Sequence, residues 1–146
     1  SDALEYTPLF DEAMSLYRGR AHALFAQTGV TLGWDRLREQ QFAGLGYHSP
    51  NMDLTLRQRL PRSATGFDQE SIATLILSGQ FLGFLPDHYA QSFVRDGQMR
   101  AIEPEVLRYD CEFFAITRRS PQPARATRAF QACLREAHDA DRSSMP

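Results

Sequence analysis

The chain has 146 residues, 42% of them apolar and 23% charged, with a formal net charge of −2. That is a globular composition, large enough for one ordinary domain or two small lobes. The charge balance excludes a chain drawn as a whole to nucleic acid or to an anionic membrane. No apolar run approaches the roughly 20 residues of a membrane span, and no basic-then-apolar signal segment is present, so a cytoplasmic protein is expected.

The first elements are two short β-prone runs, Leu4–Phe10 and Ala13–Gly19, separated by the acidic pair Asp11-Glu12. A short helix over GWDRLREQQ precedes the strand Phe42–Gly46. The turn cluster GYHSPN then leads into a helix over MDLTLRQRL, which Pro61 stops. Ser63–Phe67 reads as a strand. Asp68 offers an N-cap oxygen to the helix ESIATLILSG, whose Ile72, Leu75 and Ile76 share one face. Gly79 suits the left-handed position that ends a helix.

LGFLP follows as a wholly apolar strand, which favours a buried parallel neighbour over a half-exposed antiparallel one. Pro86 and Asp87 open the helix DHYAQSFVRDG, and QMRAI reads as an edge strand. Tyr109–Thr117 is the longest strand candidate. After a Ser-Pro-Gln-Pro turn comes a helix in which Ala126, Ala129, Phe130, Cys133, Leu134 and Ala137 recur at i, i+3, i+4 spacing. Strands of about five residues alternating with helices of about ten predict an α/β layer with a largely parallel sheet. The tail from residue 139 to 146 is polar and reads as frayed.

Cys111 and Cys133 stand 22 residues apart in apolar surroundings. A disulfide or metal framework needs more ligands at closer spacing, so two reduced core thiols are expected. His22, His48 and His88 have no metal-ligand spacing. No cofactor is expected.

In an α/β sheet, ligands bind where strands end and helices begin. Gly46, Tyr47, His48, Ser49 and Asn51 offer hydroxyl, imidazole and amide groups beside a helix start, which suits an anion; an ordinary polar turn capped by Ser49 or Asn51 accounts for the same residues. Phe67 and Gln69 stand at a second strand end, where Asp68 is explained by capping alone. Phe84-Leu85-Pro86 forms a third, read as turn geometry and packing. The cluster Arg118, Arg119, Arg125 and Arg128 reads as a solvated helix face.

The stretch LSGQFLGFLPDHYAQ resembles the late part of LysR-type transcriptional regulators. The flanks agree in order: LEYTPLFDEAMSLYRGRAHALF, with Pro8, Leu9, Phe10, Glu12, His22 and Leu24, is similar to an early strand–turn–strand segment. GWDRLREQQFAGLG resembles the short helix and strand that follow it, and FFAITRRSPQPARATRAFQACLREA the closing strand, turn and helix. The resemblance runs over residues 4–138. It implies a type II periplasmic-binding-protein-like α/β fold, with residues 1–9 the last outgoing strand of lobe one, 10–108 a nearly complete lobe two and 109–138 the return to lobe one. It implies an effector-sensing domain, not an enzyme, that binds a small and often anionic metabolite between lobes. It also implies a homo-oligomer, dimer or tetramer, and DNA contact only through an N-terminal domain not contained in these residues. Because the C-terminal helix would face a sheet that these residues lack, its Phe130 and Leu134 are expected to seek cover on lobe two or on a second copy.

Two other readings compete. A transport solute-binding protein shares the fold. A hydrolase using His48 and Ser49 is disfavoured, because adjacent side chains in a turn diverge and no GxSxG elbow occurs.

Overall fold

The computed structural model describes residues 3–27, 29, 31–47 and 53–142. Its strands are β1 (Leu4–Gly19), β2 (Phe42–Leu45), β3 (Arg62–Gly66), β4 (Leu82–Pro86), β5 (Met99–Ala101) and β6 (Arg108–Arg118). The helices are α1 (Trp34–Arg38), α2 (Asp53–Arg57), α3 (Gln69–Leu77), α4 (Asp87–Arg95) and α5 (Arg125–Arg142). The sheet order is β3-β2-β4-β1-β5, and β6 pairs with β1.

The sheet is mixed rather than largely parallel. β2 runs parallel to β3 and to β4, but β1 is antiparallel to β4 and to β5. LGFLP therefore has one neighbour of each kind. Its apolar character records burial on both faces, which a central strand requires whatever the direction of its neighbours. The two runs expected at the start are one strand of 16 residues. Asp11 and Glu12 do not break it, because its outer half is only partly buried and tolerates charge.

The chain divides into two compact units, residues 1–12 with 111–146 and residues 13–110, so the division falls inside both β1 and β6. In the larger unit, alternation along the strands feeds two cores. Leu16, Leu37, Phe42, Leu82, Ile102 and Leu107 gather on one face. Tyr17, Ala43, Ile72, Ile76, Leu85, Ala90 and Met99 gather on the other, beneath α3 and α4. Each fully buried side chain of this size is worth about 1.5–3 kcal/mol. Helix α3 starts as its sequence predicts: the Asp68 carboxylate accepts a hydrogen bond from Ser71 N–H at 2.7 Å, and hydrogen bonding by the Ser71 side chain, then by its N–H, lowers the Asp68 pKa. The helix ends at Gly79, whose φ is +77°.

In the smaller unit, Arg119 N–H donates to the Ala3 carbonyl at 2.9 Å, and the Phe10 and Phe113 rings stack 4.7 Å apart. Helix α5 turns Gln131 and His138 inward: Gln131 Nε2 donates to Thr117 Oγ1 at 3.2 Å, and His138 lies 4.8 Å from the Phe10 ring. The predicted apolar face is largely outward, with Phe130 64% exposed. Cys133 is exposed and Cys111 half-buried, and neither is in a disulfide, so the expectation that both thiols lie in the core fails. Cys133 lies on the same outward stripe as Phe130, and that stripe has no cover.

Candidate functional site

A cavity of about 420 Å³ opens in the larger unit beside the C-terminal end of β2. Its floor is apolar, with Phe42, Leu45, Leu60 and Ile72, and one wall carries Phe84 and Tyr109. Their rings meet at 5.2 Å with a 52° tilt. Polar character comes from Tyr47, Thr55, Tyr109 and Arg62. Among the described lining residues Arg62 is the one charged side chain. Its Nη1 donates to the Leu45 carbonyl at 3.0 Å, which leaves most of the guanidinium fork available.

Two glycines shape this wall. A Cβ at Gly44 would stand 3.0 Å from Arg62 Cδ, so the bare backbone lets the arginine stem cross β2. A Cβ at Gly46 would stand 2.6 Å from the Phe67 ring. The Gly46 N–H donates to the Gly66 carbonyl at 2.8 Å, which fixes the strand end against β3.

Gly46 and Tyr47, expected from the sequence, both line the cavity. Phe67 packs on Gly46 but is 75% exposed and stands outside the lining. Gln69, the first residue of α3, is also outside it; its Oε1 is buried and has no hydrogen-bond partner among the described residues. His48, Ser49 and Asn51 lie outside the described residues. The helix expected over MDLTLRQRL is the five-residue α2, too short to supply a macrodipole of consequence. Anion attraction therefore falls to Arg62.

Sequence reasoning missed Arg62 and Tyr109, and it named Phe84 at a third strand end but read it as turn geometry and packing. Arg62 reads as a spacer between Pro61 and the strand, and only Gly44 inside an otherwise apolar strand hints that something must cross there. Phe84 is hidden by its turn context. Tyr109 comes from a strand distant in sequence, a juxtaposition that no local pattern carries.

Tyr17 and His22 of this unit have structural roles. Tyr17 Oη donates to Asp87 Oδ1 at 2.9 Å; burial, then the Asp87 carboxylate, push its pKa up. His22 is buried and its Nδ1 accepts from Leu24 N–H at 3.1 Å. Burial, then Arg18, push its pKa down, so it is the neutral base. Among the described residues no group of His, Cys, Asp and Glu is arranged to hold a metal ion, and no helix is long and apolar enough to cross a membrane. The described lining of the cavity holds no Ser, Cys, His, Asp or Glu. It offers one cation, hydroxyls and aromatic faces, a set suited to recognising a small anion.

Comparison with known proteins gives a consistent result. A family model described as the LysR substrate binding domain matches residues 1–139. The chain is 37% identical over 120 residues to the HTH-type transcriptional activator BauR of Pseudomonas aeruginosa, a match covering 82% of this chain and 39% of that protein. The chain thus spans about two fifths of the length of that curated relative. Among solved structures it is similar to full-length HypT from Salmonella typhimurium, a hypochlorite-specific LysR-type transcriptional regulator, with a TM-score of 0.72 at 15% identity over 96% of this chain and 48% of that one. The regulatory domain of CcmR from Synechocystis PCC6803, solved in complex with 2-PG, gives a TM-score of 0.69 at 16% identity over 92% of this chain and 67% of that one. At these identities the two structures carry the fold alone.

Proposed function

The chain belongs to the LysR substrate-binding-domain family, and from that premise we propose that it is the effector-sensing domain of a transcriptional regulator, taking a small anionic metabolite in the cavity beside β2. The fold is the type II periplasmic-binding-protein-like fold of LysR regulatory domains. The observation that carries the ligand class is Arg62: a guanidinium with spare donors beside Tyr47 and Thr55, over an apolar floor. Such a fork matches a carboxylate, while Phe84 and Tyr109 offer flat contact to a short carbon skeleton.

In this reading residues 13–110 are the second lobe of the domain, and residues 1–12 and 111–142 contribute a strand and the closing helix to the first. Gly46 and Tyr47 contact the effector, and Phe67 buttresses Gly46. DNA is contacted by a helix-turn-helix region outside these residues, as the description of BauR suggests, and the regulator works in the cytoplasm as a homo-oligomer. The effector acts by binding one arrangement of the protein more tightly than another, which is all that allostery requires.

The test is a thermal-shift screen against organic acids and amino acids. A true effector raises the melting temperature by mass action, by about 2.7 kcal/mol of stability at one hundred times its Kd. Arg62→Gln and Tyr47→Ala are expected to abolish that shift without altering the ligand-free melting temperature appreciably. A hit whose shift persists in Arg62→Gln would place the effector elsewhere.

A further inference from the structure

Arg18 lies near the end of β1 and is 5% exposed. Alternation puts it on the same face as Leu16. Its Nε is buried and has no hydrogen-bond partner among the described residues. Directly opposite, across the antiparallel ladder, stands Arg100 of β5. Like charges in register on neighbouring strands repel, and a buried guanidinium nitrogen without a partner is costly.

Both arginines open onto one cavity of about 510 Å³. Gln27, Thr31 and Leu32 wall it from the segment after β1, and Glu103 from the segment after β5. Glu103 is the one carboxylate among the described lining residues, and it accepts a hydrogen bond from Leu32 N–H. Arg100 lies over the Phe25 ring, its Cζ 4.4 Å from the centroid, and donates to the Phe25 carbonyl at 3.4 Å. That contact holds the Arg100 guanidinium without neutralising it. Burial, then Arg100, push the pKa of Arg18 down, the direction expected of a cation that lacks its counter-charge.

This cavity shares no lining residue with the one beside β2. Arg18 is paired with Leu82, the first residue of β4, so the arginines mark the end of the sheet where the parallel strands begin. Gly46 and Tyr47 mark the end where they finish. We propose that the cavity at the β1–β5 edge is a second ligand site, in which Arg18 and Arg100 together hold one small oxyanion, a carboxylate or a phosphate. Two guanidinium forks present paired N–H donors to two oxygens of such a group, and the bound charge removes the repulsion between them. Gln27 and Thr31 supply neutral donors at the rim.

The experiment is isothermal titration of the full chain with inorganic phosphate and, separately, with succinate, at constant ionic strength held by sodium chloride. Saturable binding of either is expected, with a Kd roughly tenfold or more weaker in Arg100→Gln and in Arg18→Met, and unchanged in Arg62→Gln. Arg100 is exposed, so its substitution leaves the fold intact; Arg18→Met removes an unpartnered buried cation and should raise the ligand-free melting temperature. Binding of phosphate alone or of succinate alone upholds the site and names its class of oxyanion. Absence of saturable binding for both, or binding that survives both Arg18→Met and Arg100→Gln, overturns it, as does binding lost only in Arg62→Gln.

Discussion

Gly79 and Gly97 both adopt left-handed backbone, at φ +77° and +69°, yet replacing them with alanine should have different consequences. A Cβ at Gly97 meets nothing within 4 Å. There the cost is conformational strain of about 1–2 kcal/mol, partly offset by a gain of about 0.4–1 kcal/mol from the stiffer unfolded chain, leaving a net loss near 1 kcal/mol. At Gly79 the same Cβ would lie 2.6 Å from Ala21 Cβ and 2.8 Å from the Ala21 carbonyl carbon. Backbone cannot swing aside as a flexible side chain can, so an overpacking cost of about 1–3 kcal/mol is added. Gly79→Ala should therefore lose about 2–4 kcal/mol in all. Urea unfolding followed by the fluorescence of Trp34, which packs on the core of the same unit, measures both variants with one probe. Equal losses for the two would refute a rigid contact between the end of α3 and the segment after β1.

Tyr17→Phe should cost about 1.5–3 kcal/mol at neutral pH, because Asp87 loses its buried donor. The raised Tyr17 pKa stabilises the fold below the ordinary value of 10.0, and this contribution is lost as pH rises past it, so the melting temperature of the parent should fall more steeply above pH 10 than that of Tyr17→Phe. His22 works at the other limb: its lowered pKa contributes stability above the ordinary value of 6.5 that is lost as pH falls below it, and His22→Gln should flatten the melting curve's pH dependence between about pH 7 and 5. Phe130→Ser should change stability by less than about 0.5 kcal/mol in a urea titration, since the ring is 64% exposed; a loss above about 1.5 kcal/mol would show that the ring is covered in solution.

What local chemistry controls was legible in the sequence. The Asp68 cap, the glycine stop at Gly79 and the apolar face of α3 each depend on residues within one turn of helix, and each stands where its pattern puts it. Strand direction was less legible. LGFLP is equally apolar beside a parallel β2 and an antiparallel β1, because burial and not direction selects its residues. Asp11 and Glu12 looked like a break for a related reason: charge is excluded from a strand only where both faces are covered, and β1 becomes so only from Met14 onward. The cavity was half legible. Gly46 and Tyr47 sit at a strand end that announces itself by composition, whereas Tyr109 reaches the same wall from the far side of the sequence.

The arginines show why charge alone does not mark a site. All sixteen basic residues of this chain are Arg, so residue type separates none of them, and spacing does little better. The obvious cluster, Arg118, Arg119, Arg125 and Arg128, lies on exposed surface of the smaller unit. Arg62 and Arg18, each single within its strand, are the ones the fold singles out. Arg62 is held by a carbonyl and keeps donors to spare. Arg18 is buried, its Nε has no acceptor among the described residues, and a second cation faces it across the ladder. A surface guanidinium is satisfied by water, so Arg62, which is exposed, is marked by its place in the cavity and not by burial. A buried guanidinium must be matched by an anion or carry the penalty of being unmatched. Burial combined with an unsatisfied donor is therefore the sharper signal of a ligand, and it belongs to the folded sheet, where β1 and β5 bring residues 18 and 100 into register.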